Sequence, residues 1–175
     1  AEVGDDLKVI LIPKTMDDDV ALPEGAHTLG VSTTVEQAAK DFVALQANAR
    51  QLERQYMLLS MGRNSGRTPY LIGKKAAADL VLLREFFPIK PSFSELARIV
   101  LGSRFLKELE NPFPKPFSHA VLIGENMIEH MREGEIPELE AARKKSAKIN
   151  DGNLKLSDIP FDKYLTEAVS ALYKR

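Results

Sequence analysis

The chain of 175 residues has no cysteine, so it carries neither a disulfide framework nor a thiolate nucleophile, in keeping with an expected cytoplasmic location. Histidine is scarce. His27, His119 and His130 stand far apart in sequence, none at ligand spacing from another, and a zinc site is not expected. Neither sign of charge dominates. With 24 Lys and Arg against 25 Asp and Glu the net charge is −1, which argues against nucleic acid and anionic membrane as partners. No apolar run approaches the ~18 residues of a membrane span, and the opening residues do not read as a signal segment. What remains is a hydrophobic fraction of 44%, ordinary for a folded protein, in a length that suits one domain with a real core.

Apolar runs alternate with stretches of helical period, the pattern of a parallel sheet with crossover helices. Lys8–Pro13 predicts a first strand. Thr33-Thr34-Val35-Glu36 has the form of a capping box, opening a helix with an apolar stripe from Val35 through Phe42 to Leu52. Tyr56–Met61 predicts a second strand, and Gly62–Gly66 turns it into a helix reaching about Ala78. Leu80–Phe87 predicts a third strand, and Ser92-Phe93-Ser94-Glu95 a second capping box with a helix to about Leu109. Asn111–Pro116 is too rich in proline for a helix and reads as an extended connector. His119–Gly124 predicts a fourth strand, Glu135–Lys148 a charged amphipathic helix, residues 150–153 a turn, and Pro160–Tyr173 a closing helix. The fold class expected is α/β: an open, mostly parallel sheet of about four strands with helices on both faces.

Three of these strands end in reactive residues: Lys14 to Asp19, Gly62-Arg63, and Glu125. In a parallel sheet such ends converge on one edge, where open α/β folds bind ligands. Asp17, Asp18 and Asp19 are adjacent carboxylates, an arrangement that brings no stability because each raises the cost of ionising the next. Lys14 and Arg63 add cations. A mixed site of this kind suits an anionic substrate whose hydroxyl must be activated, as in phosphoryl transfer to a sugar. Carboxylates beside phosphate also suit Mg²⁺. The glycines of Ser60–Gly66 would let a ligand approach the backbone at a helix N-terminus, although a turn of this kind is often only a turn. Glu125 reads equally as the first polar residue after a strand. Arg54, seven residues before Met61, falls at the opposite edge and reads as a solvated side chain unless another subunit brings a site to it.

Four stretches in order resemble the phosphofructokinase family: Pro13–Asp19, Thr28–Thr33, Met61–Gly66 and His119–Met127. Gly152–Pro160 is also similar to a stretch of the longer, pyrophosphate-dependent members. The resemblance implies that Asp17 takes the proton from the 1-hydroxyl of fructose 6-phosphate. It implies that Thr15 and Asp19 line the same pocket, with Asp19 near a magnesium ion. Met61, Gly62 and Arg63 would contact the sugar phosphate, Arg63 would also steady charge in the transition state, and Glu125 would bind sugar hydroxyls. Arg54 would reach the 6-phosphate bound by a neighbouring subunit of a homo-oligomer. Lys14 stands where ATP-using members carry glycine, and a lysine there is similar to the pyrophosphate users.

The chain departs from the family pattern in three places. Asp18 replaces an asparagine, and an extra carboxylate would be expected to repel phosphate and raise the pKa of Asp17. Arg84 replaces a proline, with a structural effect expected, and Val31 replaces an aromatic. The glycine-rich loops that hold the phosphoryl donor would lie before Lys8, which only seven residues precede. Residues 1–175 are therefore expected to be a single domain, the sugar-phosphate half of a pyrophosphate-dependent enzyme of glycolysis, inactive by itself. The alternatives are a non-catalytic regulatory or assembly subunit of the same fold and an unrelated phosphate-binding α/β module.

Overall fold

His119–Gly124 is buried along its whole length, and the rest of the molecule is arranged around it. The computed structural model describes residues 8–110, 118–141, 156 and 159–174. In chain order the elements are α1 (Val31–Leu52), β1 (Gln55–Ser60), α2 (Arg67–Ala76), β2 (Leu80–Leu82), α3 (Phe93–Glu110), β3 (His119–Gly124), α4 (Asn126–Glu129) and α5 (Phe161–Tyr173). The strands form a parallel sheet of order β1-β3-β2, with Gln55 opposite His119, Ser60 opposite Gly124, and Leu82 opposite Ile123. Successive side chains of a strand point to opposite faces, which explains the two cores. Val121 and Ile123 pack with Leu96 and Val100 of α3 and with Phe161 and Leu165 of α5. Ala120 and Leu122 pack with Phe42 of α1 and with Ile72 and Ala76 of α2. Helices thus cover both faces, and the α/β class expected from the alternating pattern is the observed one. Among the described residues no helix is long and apolar enough to cross a membrane.

Two of the expected strands are corrected. Among the described residues the segment 8–13 pairs with no strand; Val9, Ile10, Leu11 and Ile12 are 71%, 87%, 87% and 67% exposed. A continuous apolar run states a need for burial but does not supply a neighbouring edge, and this segment is tied instead through the Leu29 N–H, which donates to the Pro13 carbonyl at 3.0 Å. The sheet described therefore has three strands rather than about four. The Leu80–Phe87 strand ends at Leu82, because Arg84–Phe86 winds into a 3-10 turn, with Phe86 N–H donating to Leu83 and Phe87 N–H to Arg84.

The helix starts divide in the same way. Ser92 and Glu95 form the expected reciprocal box: the Ser92 N–H donates to Glu95 Oε2 at 2.7 Å, and the Glu95 N–H to Ser92 Oγ at 3.2 Å. The Thr33–Glu36 box does not form. Gly30, at φ 102°, turns the chain into α1 three residues earlier, and Glu36 pairs with Lys75 and Lys40. Of the charged stretch 135–148, residues 137–141 are helical and the rest beyond 141 lies outside the described residues, as do the 111–116 connector and the 150–153 turn.

Candidate active site

Because all three strands run the same way, their C-terminal ends open on one edge, and the site is built from the loops there. The first of these follows β1. Gly62 takes φ +142°, and a Cβ at that position would lie 2.7 Å from the Ser65 carbonyl oxygen and 3.0 Å from Pro69 Cδ, so only glycine fits. It presents Met61, exposed, and Arg63, half-buried, at the sheet edge. The loop is braced from the ends of the other two strands. The Gly66 N–H donates to Glu85 Oε1 at 2.8 Å, Asn126 Nδ2 donates to the same carboxylate at 3.0 and 3.1 Å, and Arg84 Nη2 donates to the Asn64 carbonyl at 3.1 Å. Glu125 caps α4, half-buried, and its N–H donates at 2.8 Å to the carbonyl of Ser60, the residue before Met61.

The aspartate segment has no regular structure of its own and is stitched onto this loop and the start of α2. Thr68 Oγ1 donates to the Met16 carbonyl at 2.9 Å, Asn64 Nδ2 to Asp19 Oδ2 at 3.0 Å, and Arg67 Nε sits 3.1 Å from Asp18 Oδ2. On its other side Thr28 Oγ1 donates to the Thr15 carbonyl, while Thr15 Oγ1 accepts from the Asp17 N–H at 3.2 Å. The structure thereby gathers Thr15, Asp17, Asp19, Met61, Gly62 and Arg63 on one edge, with Glu125 tied to it through Ser60. Lys14 lies on the same segment and is exposed. Arg54 is exposed before β1, at the opposite end of that strand, and is not part of this cluster.

The three aspartates differ in electrostatics. Partial burial and the neighbouring Asp19 charge push the Asp17 carboxyl up, against the lowering effect of Arg63. Asp18 turns inward. Its side chain is 1% exposed, and Oδ2 meets His27 Nδ1 at 2.8 Å while Oδ1 accepts from the Thr28 N–H at 3.2 Å. Burial alone would raise its pKa, but the His27 and Thr28 bonds and the Arg67 charge outweigh it and hold the carboxyl below the usual range. The expectation that Asp18 would raise the pKa of Asp17 is corrected: Asp19, not Asp18, is the carboxylate acting on Asp17. Reasoning from sequence also missed the braces Asn64, Arg67, Thr68, Glu85 and Asn126, and the His27 and Thr28 contacts. Thr28, Asn64 and Asn126 lie within the stretches that carry the family resemblance, which was the signal available for them.

The family model for phosphofructokinase matches residues 1–146. The chain belongs to the phosphofructokinase family. It is 27% identical over 168 residues to the pyrophosphate–fructose 6-phosphate 1-phosphotransferase of Thermotoga maritima, covering 96% of this chain and 39% of that protein. The Naegleria fowleri enzyme of the same name is 30% identical over 141 residues, 76% of this chain and 31% of that protein. ATP-dependent 6-phosphofructokinase 1 of Nostoc is 32% identical over 79 residues, 45% of this chain and 21% of that protein. The chain thus aligns with well under half the length of each of these relatives, between 21% and 39%. Two phosphofructokinase structures share the fold: that of Pichia pastoris in the T-state, at TM-score 0.54 and 16% identity, covering 93% of this chain and 18% of that one, and that of Saccharomyces cerevisiae, at TM-score 0.55 and 17% identity, covering 93% and 22%.

Proposed function

We propose that residues 1–175 form the fructose 6-phosphate side of a 6-phosphofructokinase that takes its phosphoryl group from pyrophosphate. The observation that carries this reading is Asp17: a carboxylate of raised pKa at the C-terminal edge of a parallel sheet, with Asp19 and Arg63 close enough for their charges to act on it. A base needs proton affinity that an ordinary solvated aspartate lacks, and burial beside a like charge supplies it. Asp17 would accept the proton of the sugar 1-hydroxyl as that oxygen forms its bond to phosphorus; the bond from phosphorus to the bridging oxygen breaks, and phosphate leaves. Arg63 would balance charge on the moving group, and Met61, Gly62 and Arg63 would hold the sugar phosphate, with Thr15 and Glu125 completing the pocket. Arg54 would reach a neighbouring subunit's sugar phosphate in a homo-oligomer.

Magnesium is commonly held by one or two carboxylates plus substrate oxygens. Among the described residues no group of three or more His, Asp or Glu is placed to hold a metal ion. Asp19, exposed and fixed by Asn64, fits the smaller demand. When bound there, Mg²⁺ would neutralise charge on the transferring phosphoryl group.

The pyrophosphate assignment is supported by Lys14, an exposed cation beside Thr15, suited to a small dense anion. It is supported as well by the relatives named as pyrophosphate users, which align over 96% and 76% of this chain, against 45% for the Nostoc ATP-dependent enzyme. Most of the donor contacts would come from outside these residues, and the enzyme would work in cytoplasmic glycolysis.

The deciding experiment is steady-state kinetics of the full-length enzyme with fructose 6-phosphate, Mg²⁺ and either pyrophosphate or ATP. Asp17→Asn is expected to lower kcat by about 10²–10⁴ while KM for fructose 6-phosphate stays within about threefold. Retained turnover would remove Asp17 as the base. Lys14→Gly is expected to raise KM for pyrophosphate, and faster turnover with ATP than with pyrophosphate in the native enzyme would reverse the donor assignment.

A further inference from the structure

The residue between the two site aspartates is built into the molecule more firmly than either of them. Asp18 takes φ +53°, a left-handed conformation that costs most side chains free energy and that Asp and Asn tolerate best. Its carboxylate is 1% exposed yet fully engaged, by His27 Nδ1 at 2.8 Å, the Thr28 N–H at 3.2 Å and Arg67 Nε at 3.1 Å. These partners belong to the loop before α1 and the first turn of α2, so a single side chain ties the aspartate segment to both. No substrate contact is open to a carboxylate so enclosed. Arg67, its own side chain 47% exposed, is correspondingly drawn onto this buried carboxylate, although it stands four residues after Arg63 at the same sheet edge.

We propose that Asp18 is a positioning residue for phosphoryl transfer, and that its latch to His27 and Arg67 holds the left-handed kink that sets Asp17 and Asp19 at the sheet edge presenting Arg63. Arg67 is the counter-charge of the latch and not a phosphate ligand. The inference rests on the reading of Asp17 as the base. Physically, a segment without secondary structure has no backbone ladder to fix it. A displacement of about 1 Å at a catalytic group costs on the order of 10²-fold in rate. A buried carboxylate with three partners supplies the missing rigidity, and its charge makes the partners interdependent: removing Arg67 leaves a buried anion under-compensated.

That interdependence gives the test. In the full-length enzyme, kcat and KM are measured for Asp18→Gly, Arg67→Met, Asp18→Asn and the Asp18→Asn, Arg67→Met double variant, each corrected for the folded fraction by circular dichroism. Glycine keeps the left-handed kink without strain but removes the latch, so Asp18→Gly is expected to lower kcat at least about tenfold with KM for fructose 6-phosphate within about twofold. Arg67→Met is expected to lower kcat about tenfold beside Asp18, and less than threefold in the Asp18→Asn background, where no buried charge awaits compensation. If Asp18→Gly keeps kcat within twofold, or if Arg67→Met costs the same in both backgrounds, the latch is overturned. An Asp17→Asn enzyme that still turns over would instead overturn the underlying reading.

Discussion

Asp17 and Asp18 are neighbours in the chain with opposite responses to pH. The Asp17 carboxyl is raised above its ordinary value of 3.8, so the folded state binds that proton more tightly than the unfolded state. The stability it contributes is complete below pH 3.8 and is lost as pH rises through the raised value. At neutral pH its ionised form opposes folding, and Asp17→Asn is expected to be more stable than the native protein, with the gain vanishing on acidification. Asp18 is lowered, so its contribution is present above 3.8 and is lost as pH falls through the lowered value. Asp18→Asn is therefore expected to cost about 1–3 kcal/mol near neutrality, with the deficit closing in acid. Urea titrations of the three proteins at several pH values check both signs, and equal pH profiles for the two variants would contradict them. None of this division was visible in three identical letters. Sequence showed the cluster and its place after an apolar run. The inward turn depends on a single left-handed residue and on partners at 27, 28 and 67.

At the scale of elements, legibility followed how local the determining contacts are. β3 was bounded correctly because its residues are buried on both faces, and the capping box at Ser92 because donor and acceptor lie three residues apart. Ser92→Ala removes the Oγ that accepts from Glu95 and is expected to cost about 1 kcal/mol, measured by thermal unfolding. Thr33→Ala, at the box that does not form, is expected to cost under about 0.5 kcal/mol; a larger loss at Thr33 than at Ser92 would reverse the assignment of the two starts. The braces of the site escaped notice for the complementary reason. The bonds Asn64–Asp19, Thr68–Met16 and Asn126–Glu85 span 45, 52 and 41 residues, and no spacing rule reaches so far.

For the whole molecule, the two-sided sheet fixes where the strand ends open. The segment 8–13 lies outside that sheet. Four consecutive apolar residues, 67–87% exposed, form a sticky ribbon of the kind that promotes association. In the 175-residue chain, Ile10→Lys with Leu11→Lys is expected to suppress concentration-dependent light scattering while leaving the melting temperature within about 2 °C. Unchanged scattering would show that the ribbon does not drive association.

The aspartate segment also sets an order of events. It has no ladder of its own and is held by side-chain bonds reaching 45 and 52 residues along the chain, so the ends it joins must already be in place before it can dock. During refolding, helical ellipticity is expected to return ahead of turnover in the full-length enzyme. Under mild urea, turnover should fade while the spectrum is still native, making catalysis the first casualty of loosening and the last thing regained.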